Sequence, residues 1–166
     1  FAICHMTYMT TFPMEKNEIG ASLYRKTMKY GVEMIKDSFQ KILDENINPI
    51  AQQGIGSYYN KINPYHHLDW HQPHEVIERI IRVYARPYFP AYSFIYNTLV
   101  SINKVSFYND TSICMQGAGR IEKILPNNKF VVSCTDGCLK IEDYETLPIL
   151  SQQQFRLNIH KGAKLL

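Results

Sequence analysis

At 166 residues and 19.4 kDa the chain is long enough for one ordinary domain or two small ones, and its 45% hydrophobic residues can supply a real core. A charged fraction of 20%, a net charge of +3 and a pI near 8.6 exclude a disordered polyelectrolyte and give little support to a nucleic-acid binder. No apolar run approaches the roughly 20 residues that span a bilayer, and the first residues lack the basic, apolar and small-residue order of a secretory signal, so a cytoplasmic protein with no membrane segment is expected.

Residues 1–14, "FAICHMTYMTTFPM", are rich in β-branched, aromatic and Met residues and close on Phe12-Pro13, which suits one strand or a hairpin ending at the proline. From Ile19 onward Tyr24, Met28, Val32, Ile35, Phe39 and Leu43 recur every three to four residues, the spacing of an amphipathic helix, either continuous or broken near Gly31. The stretch "DENINPIAQQGIGSYYNKINPYHH" has turn residues and no period, so it is expected to be a long loop. Pro73 suits the first turn of a second helix, where the amide it lacks would have no partner. Val76, Ile77, Ile80, Ile81 and Tyr84 form that helix's apolar face, and Arg86-Pro87 ends it.

Two strands then follow, over residues 92–95 and 101–108, about a turn centred on Asn97. Residues 110–119 read as a linker into a β-rich end with strands over 119–125, 130–134 and 138–144, the last two joined by a "TDG" turn. Only a short strand or helix near Phe155 is expected after that.

Four histidines at 66, 67, 71 and 74 invite a metal reading, but no Cys or acid pair completes a ligand set at the usual spacing, so no metal is expected. Cys4, Cys114, Cys134 and Cys138 are too few and too scattered for a disulfide framework and read as reduced thiols. Asp69 precedes or caps the second helix, and Trp70, the only tryptophan, reads as a core plug. "RPYFPAY" is either a rigid turn with inward aromatics or the aromatic edge of a pocket; the residues alone leave both open. There is no glycine-rich phosphate loop and no nucleophile elbow.

The order of these stretches resembles the 10-formyltetrahydrofolate-dependent formyltransferases, which include the sugar N-formyltransferases and methionyl-tRNA formyltransferase. "EIGASLYRKTMKYGVEMI" is similar to that family's D-T-x-x-S-L-Y core and following helix, and "IAQQGIGSYYNKINPYHHLDW" to its Q…Y…DW loop. "DWHQPHEVIERIIRVYARPYFPAYSFI" follows D-W-S-x-x-x-x-E-I-x-x-x-I-R-A, a proline-aromatic loop and A-Y-x-F, with Asp69, Trp70, Ile77, Ile81, Arg82, Pro90, Ala91 and Tyr92 on matching positions. "GRIEKILPNNKFVVSCTDGCLKI" resembles the small β-barrel after the catalytic domain. The likeness covers roughly residues 12–145 and is most specific in its middle.

What the resemblance implies is an α/β protein: residues 1–110 as the C-terminal part of a Rossmann-like catalytic domain, and 111–166 as a small β-barrel-like domain. The implied reaction is acyl transfer, in which an amine attacks the formyl carbon of 10-formyltetrahydrofolate. The family's catalytic Asn and His belong upstream of Phe1, and the Asp of its D-x-G-D-I loop has no counterpart whether Ala2 is aligned with it or "AICHM" is taken as the strand before it. No catalytic residue is therefore assigned, and the polypeptide alone is expected to be inactive. His71 stands where the family has Ser. The loop "RPYFPAYSFI" is closer to the P-P-[FY]-x-P-A-Y form of sugar N-formyltransferases, which favours a nucleotide-linked amino sugar over initiator methionyl-tRNA and makes Tyr88, Phe89, Tyr92 and Arg82 the candidate acceptor-binding residues. The reading from a different class is a non-catalytic binding or dimerisation module, with the strand pair over 92–108 as the interface of a homodimer.

Overall fold

The computed structural model describes residues 5–58, 66–110 and 117–166. The chain divides into two compact units, Phe1–Ile62 and Asn63–Leu166. The division differs from the boundary expected at 110, because strands on either side of that point pair along most of their length.

In the first unit, β1 (His5–Met6) pairs antiparallel with β2 (Ile50–Ala51), and α1 runs without interruption over Gly20–Leu43. Of the strand or hairpin expected over residues 1–14, the described residues contain the strand His5–Met6, and the loop expected after α1 contains its partner. Residues 1–4 and 59–65 lie outside the described part. The start of α1 is closed by Ser22, whose Oγ accepts from the Ile19 amide at 3.1 Å and donates to the Ile19 carbonyl at 2.9 Å. Ahead of it, Lys26 bonds Glu18 at 2.5 Å and holds that carboxyl down to about 2. The apolar stripe that gives α1 its periodicity stays exposed, from 47% at Val32 to 60% at Leu43.

In the second unit, α2 spans His74–Tyr84. Pro73 is its N-cap, outside the first turn, and its carbonyl accepts from Val76 and Ile77 at 2.9 and 3.1 Å. Ile77 and Ile81 are buried, and Ile80 and Tyr84 pack beside them. Next come β3 (Ala91–Ile95), β4 (Thr98–Tyr108), β5 (Ile121–Ile124), β6 (Phe130–Ser133), β7 (Cys138–Leu147) and α3 (Gln152–Asn158). The five strands make one antiparallel sheet in the order β3-β4-β7-β6-β5. The alternating burial of β3 comes from its period of two: Ala91, Ser93 and Ile95 face the core, while Tyr92 and Phe94 face out. β6 lies between two strands with all four of its residues buried.

Segment 162–166 hydrogen-bonds to both outer strands of the sheet. Gly162 and Ala163 exchange bonds with Ile121 at 2.7 and 2.8 Å, Leu165 donates to the Gly119 carbonyl at 2.7 Å, and Leu166 exchanges bonds with Phe94 at 2.9 and 3.1 Å. Gly119 sits at φ +79°, and a Cβ there would stand 2.6 Å from the Leu165 carbonyl oxygen, so the closure needs glycine. Register shifts fall at Asn103 in β4 and Glu122 in β5. Both residues are buried, and the Asn103 amide and Glu122 Oε1 have no hydrogen-bond partner among the described residues.

Candidate functional site

The stretch from Leu68 to Ile95 is held to the sheet by side chains that its own sequence supplies. Leu68 and Trp70 are buried, and residues 66–68 run beside β3, with the Tyr92 amide donating to the His66 carbonyl at 2.9 Å and the Leu68 amide to the Tyr92 carbonyl at 2.8 Å. The indole N–H of Trp70 donates to Ser93 Oγ at 3.0 Å, and Ser93 donates to the Leu166 carbonyl at 2.6 Å. Trp70 is the core plug expected, with its polar edge satisfied by a serine that sequence reasoning did not single out.

Asp69 turns onto the segment that follows it: Oδ1 accepts from the His71 amide at 3.0 Å and Oδ2 from Gln72 Nε2 at 3.1 Å, and these bonds lower its pKa. The acceptor at the start of α2 is Asp136, in the "TDG" turn between β6 and β7. Its Oδ1 accepts from the His74 amide at 2.8 Å and lies 2.9 Å from His74 Nδ1. Bonding to the His74 amide is the main reason its carboxyl titrates below the ordinary range. The His74 ring also meets Phe107 edge-on, with centroids 5.1 Å apart. The turn was legible in the sequence, but its partner 62 residues away was not.

The four expected acceptor-side residues are spread along the module. Arg82 lies on α2 and is held by Glu78 one turn earlier, Nε to Oε1 at 2.9 Å. Tyr88 and Phe89 are exposed in the loop between α2 and β3. Arg86, at the start of that loop, pairs with Glu145 on β7. Tyr92, on the outer face of β3, lies against His67 and Phe94 with ring centroids at 5.4 and 5.7 Å. His67 Nε2 is 2.7 Å from the Leu166 carbonyl and must carry the proton there. His66 tilts over Tyr84 at 4.9 Å. Each of the four histidines therefore has a structural partner, and among the described residues no group of three or more His, Cys, Asp or Glu is placed to hold a metal ion.

Two clefts can be described. One, of about 380 Å³, is lined by Tyr8, Met9, Tyr30, Glu33, Asp37 and Lys41, among others, within the first unit. The other, of about 310 Å³, is lined by Asn127, Asn128, Glu142, Asp143, Tyr144 and Thr146, with Leu150. Each is lined by two carboxylates, Glu33 and Asp37 beside Lys41 in the first and Glu142 and Asp143 in the second. Glu142 is already committed to Lys140 at 2.7 Å, which, with Ser106, takes its carboxyl down to about 2. Burial pushes the free Cys134 thiol up to about 12, far from a reactive thiolate. Cys138 is disulfide-bonded, which corrects the reading of four reduced thiols; Cys4 and Cys114 lie outside the described residues.

Residues 62–155 match the family model for the formyl transferase C-terminal domain. The bifunctional polymyxin resistance protein ArnA of Wigglesworthia glossinidia brevipalpis is 28% identical over 160 residues, an alignment that takes in 92% of this chain. The chain spans only 23% of the length of that relative. Among the described residues, no helix is long and apolar enough to cross a membrane.

Proposed function

The chain belongs to the formyl transferase C-terminal domain family, and on that premise we propose that it forms the acceptor side of a cytoplasmic formyltransferase that moves a formyl group from 10-formyltetrahydrofolate to a nucleotide-linked amino sugar. The observation that carries the acceptor class is the stretch "RPYFPAYSFI", the loop after α2 running into β3, which leaves Tyr88 and Phe89 exposed in the loop and Tyr92 half-buried on the outer face of β3. Exposed rings between two prolines, Pro87 and Pro90, suit stacking on a base or the apolar face of a sugar. Arg82 supplies a cation on the same module for a pyrophosphate bridge, at the cost of its pairing with Glu78.

In this reading the chain's residues bind and orient the acceptor amine, and the proton and oxyanion chemistry belongs to residues outside the chain. The five-stranded sheet, with 162–166 bonded to both outer strands, is taken as the small barrel, and the first unit as part of the Rossmann-like catalytic half. The test is a titration of the chain with a nucleotide-linked amino sugar, followed by NMR at the tyrosine rings. Saturable binding that weakens about ten-fold in Tyr88→Ala and in Phe89→Ala is expected. Binding of initiator methionyl-tRNA with no response to the sugar would transfer the assignment to the tRNA acceptor.

A further inference from the structure

Asn103 is the residue of β4 that its pairing with β7 leaves over. That pairing joins Ile102 to Tyr144 and Lys104 to Asp143, so the register steps past Asn103. The side chain is nine-tenths buried, and among the described residues neither its amide nitrogen nor its amide oxygen has a hydrogen-bond partner. An amide buried with both ends bare forgoes the bonds it made in water, and a polar group kept at that cost calls for a ligand or a water molecule that satisfies it.

The strand registers also say where this amide stands. On the β3 side Ala91 pairs with Ile102, so one further step along the two strands sets Asn103 beside Pro90, the last residue of the loop that carries Tyr88 and Phe89. On the β7 side Arg86, at the start of the same loop, pairs with Glu145, which is in register with Ser101, two residues before Asn103. The loop is therefore held at its end through β3 and at its start by β7, with β4 between the two, and both attachments fall within two residues of Asn103. An asparagine amide sets N–H donors beside an acceptor oxygen in one plane, and that pair matches a planar edge on which a donor and an acceptor are neighbours. Of the parts of a nucleotide-linked amino sugar the base carries such an edge, the pyrophosphate offers acceptors only, and neighbouring sugar hydroxyls are staggered out of one plane.

We propose that Asn103 reads the base of the acceptor nucleotide, its amide pairing with the base edge once the loop of Tyr88 and Phe89 lifts at the Arg86–Glu145 pair. The inference rests on the amino-sugar reading and adds the residue that would set its preference for a base. The test is calorimetric titration of the full chain with uridine 5′-monophosphate, adenosine 5′-monophosphate, ribose 5-phosphate, which has no base, and the nucleotide-linked amino sugar. The unaltered chain should bind at least one of the two nucleotides about ten-fold or more tighter than ribose 5-phosphate. Asn103→Leu should weaken that nucleotide and the amino-sugar nucleotide about ten-fold and leave ribose 5-phosphate unchanged. Because Asn103→Leu removes a bare buried amide, its unfolding midpoint should not fall, so the lost affinity is not lost folding; Asn103→Ala, which adds no bulk, should lose as much and so excludes a steric block. Amino-sugar nucleotide binding that falls in Tyr88→Ala but ignores both Asn103 variants would overturn the inference and leave the amino-sugar reading standing, the amide then holding water only. Failure of every nucleotide to bind would overturn both.

Discussion

Trp70 and Asn103 are both buried and polar at one end, and they differ in whether that end is satisfied. The indole of Trp70 reaches Ser93, which passes the contact to Leu166. Trp70→Phe keeps most of the apolar bulk and deletes the donor, so an unfolding titration followed by circular dichroism should show a loss of about 1–3 kcal/mol. Asn103 is 8% exposed, and among the described residues neither its amide nitrogen nor its amide oxygen finds a partner. Replacing it by Leu, close in volume and free of polar atoms, removes that desolvation cost and should raise stability by about 1 kcal/mol in the same titration. Tryptophan as a core plug was legible because it is the most apolar-rich side chain in the sequence. The stranded amide was not, because Asn is an ordinary surface residue until a register shift turns it inward.

At the scale of elements, α2 depends on a residue from the far end of the unit. Asp136→Ala removes the acceptor for the His74 amide and should destabilise the protein by about 1 kcal/mol near neutral pH. The pH dependence has a definite sign. The folded-state pKa of Asp136 is depressed, so its stabilisation is complete above the ordinary carboxylate range and is lost as pH falls through the lowered value. The difference between wild type and Asp136→Ala should therefore shrink on acidification, as paired unfolding curves at several pH values would show. The α2 helix itself, the β3–β4 hairpin and the strands β5 to β7 stand close to where the sequence patterns put them. Of the N-terminal stretch, His5–Met6 is a strand among the described residues, paired with the two residues of β2.

For the whole molecule the decisive contacts join distant parts of the second unit. Segment 162–166 reaches both outer strands only because the chain can pass close to Gly119. Gly119→Ala would bring a methyl into the Leu165 carbonyl and strain a left-handed backbone, so a loss of about 2 kcal/mol or more is expected by thermal and denaturant unfolding, with Gly54→Ala, where nothing lies within 4 Å, costing less. The sequence by itself determined the two long helices, most of the strands and the family, since these rest on local periodicity and on motif order, which need no knowledge of what packs against what. Tertiary structure alone decided that residues 66–68 and 162–166 pair with the sheet, that Asp136 caps α2, and that Asn103 stands between the loop of Tyr88 and Phe89 and β7. Those are contacts between residues tens of positions apart, and neither periodicity nor local propensity encodes which strand lies beside which, or in what register.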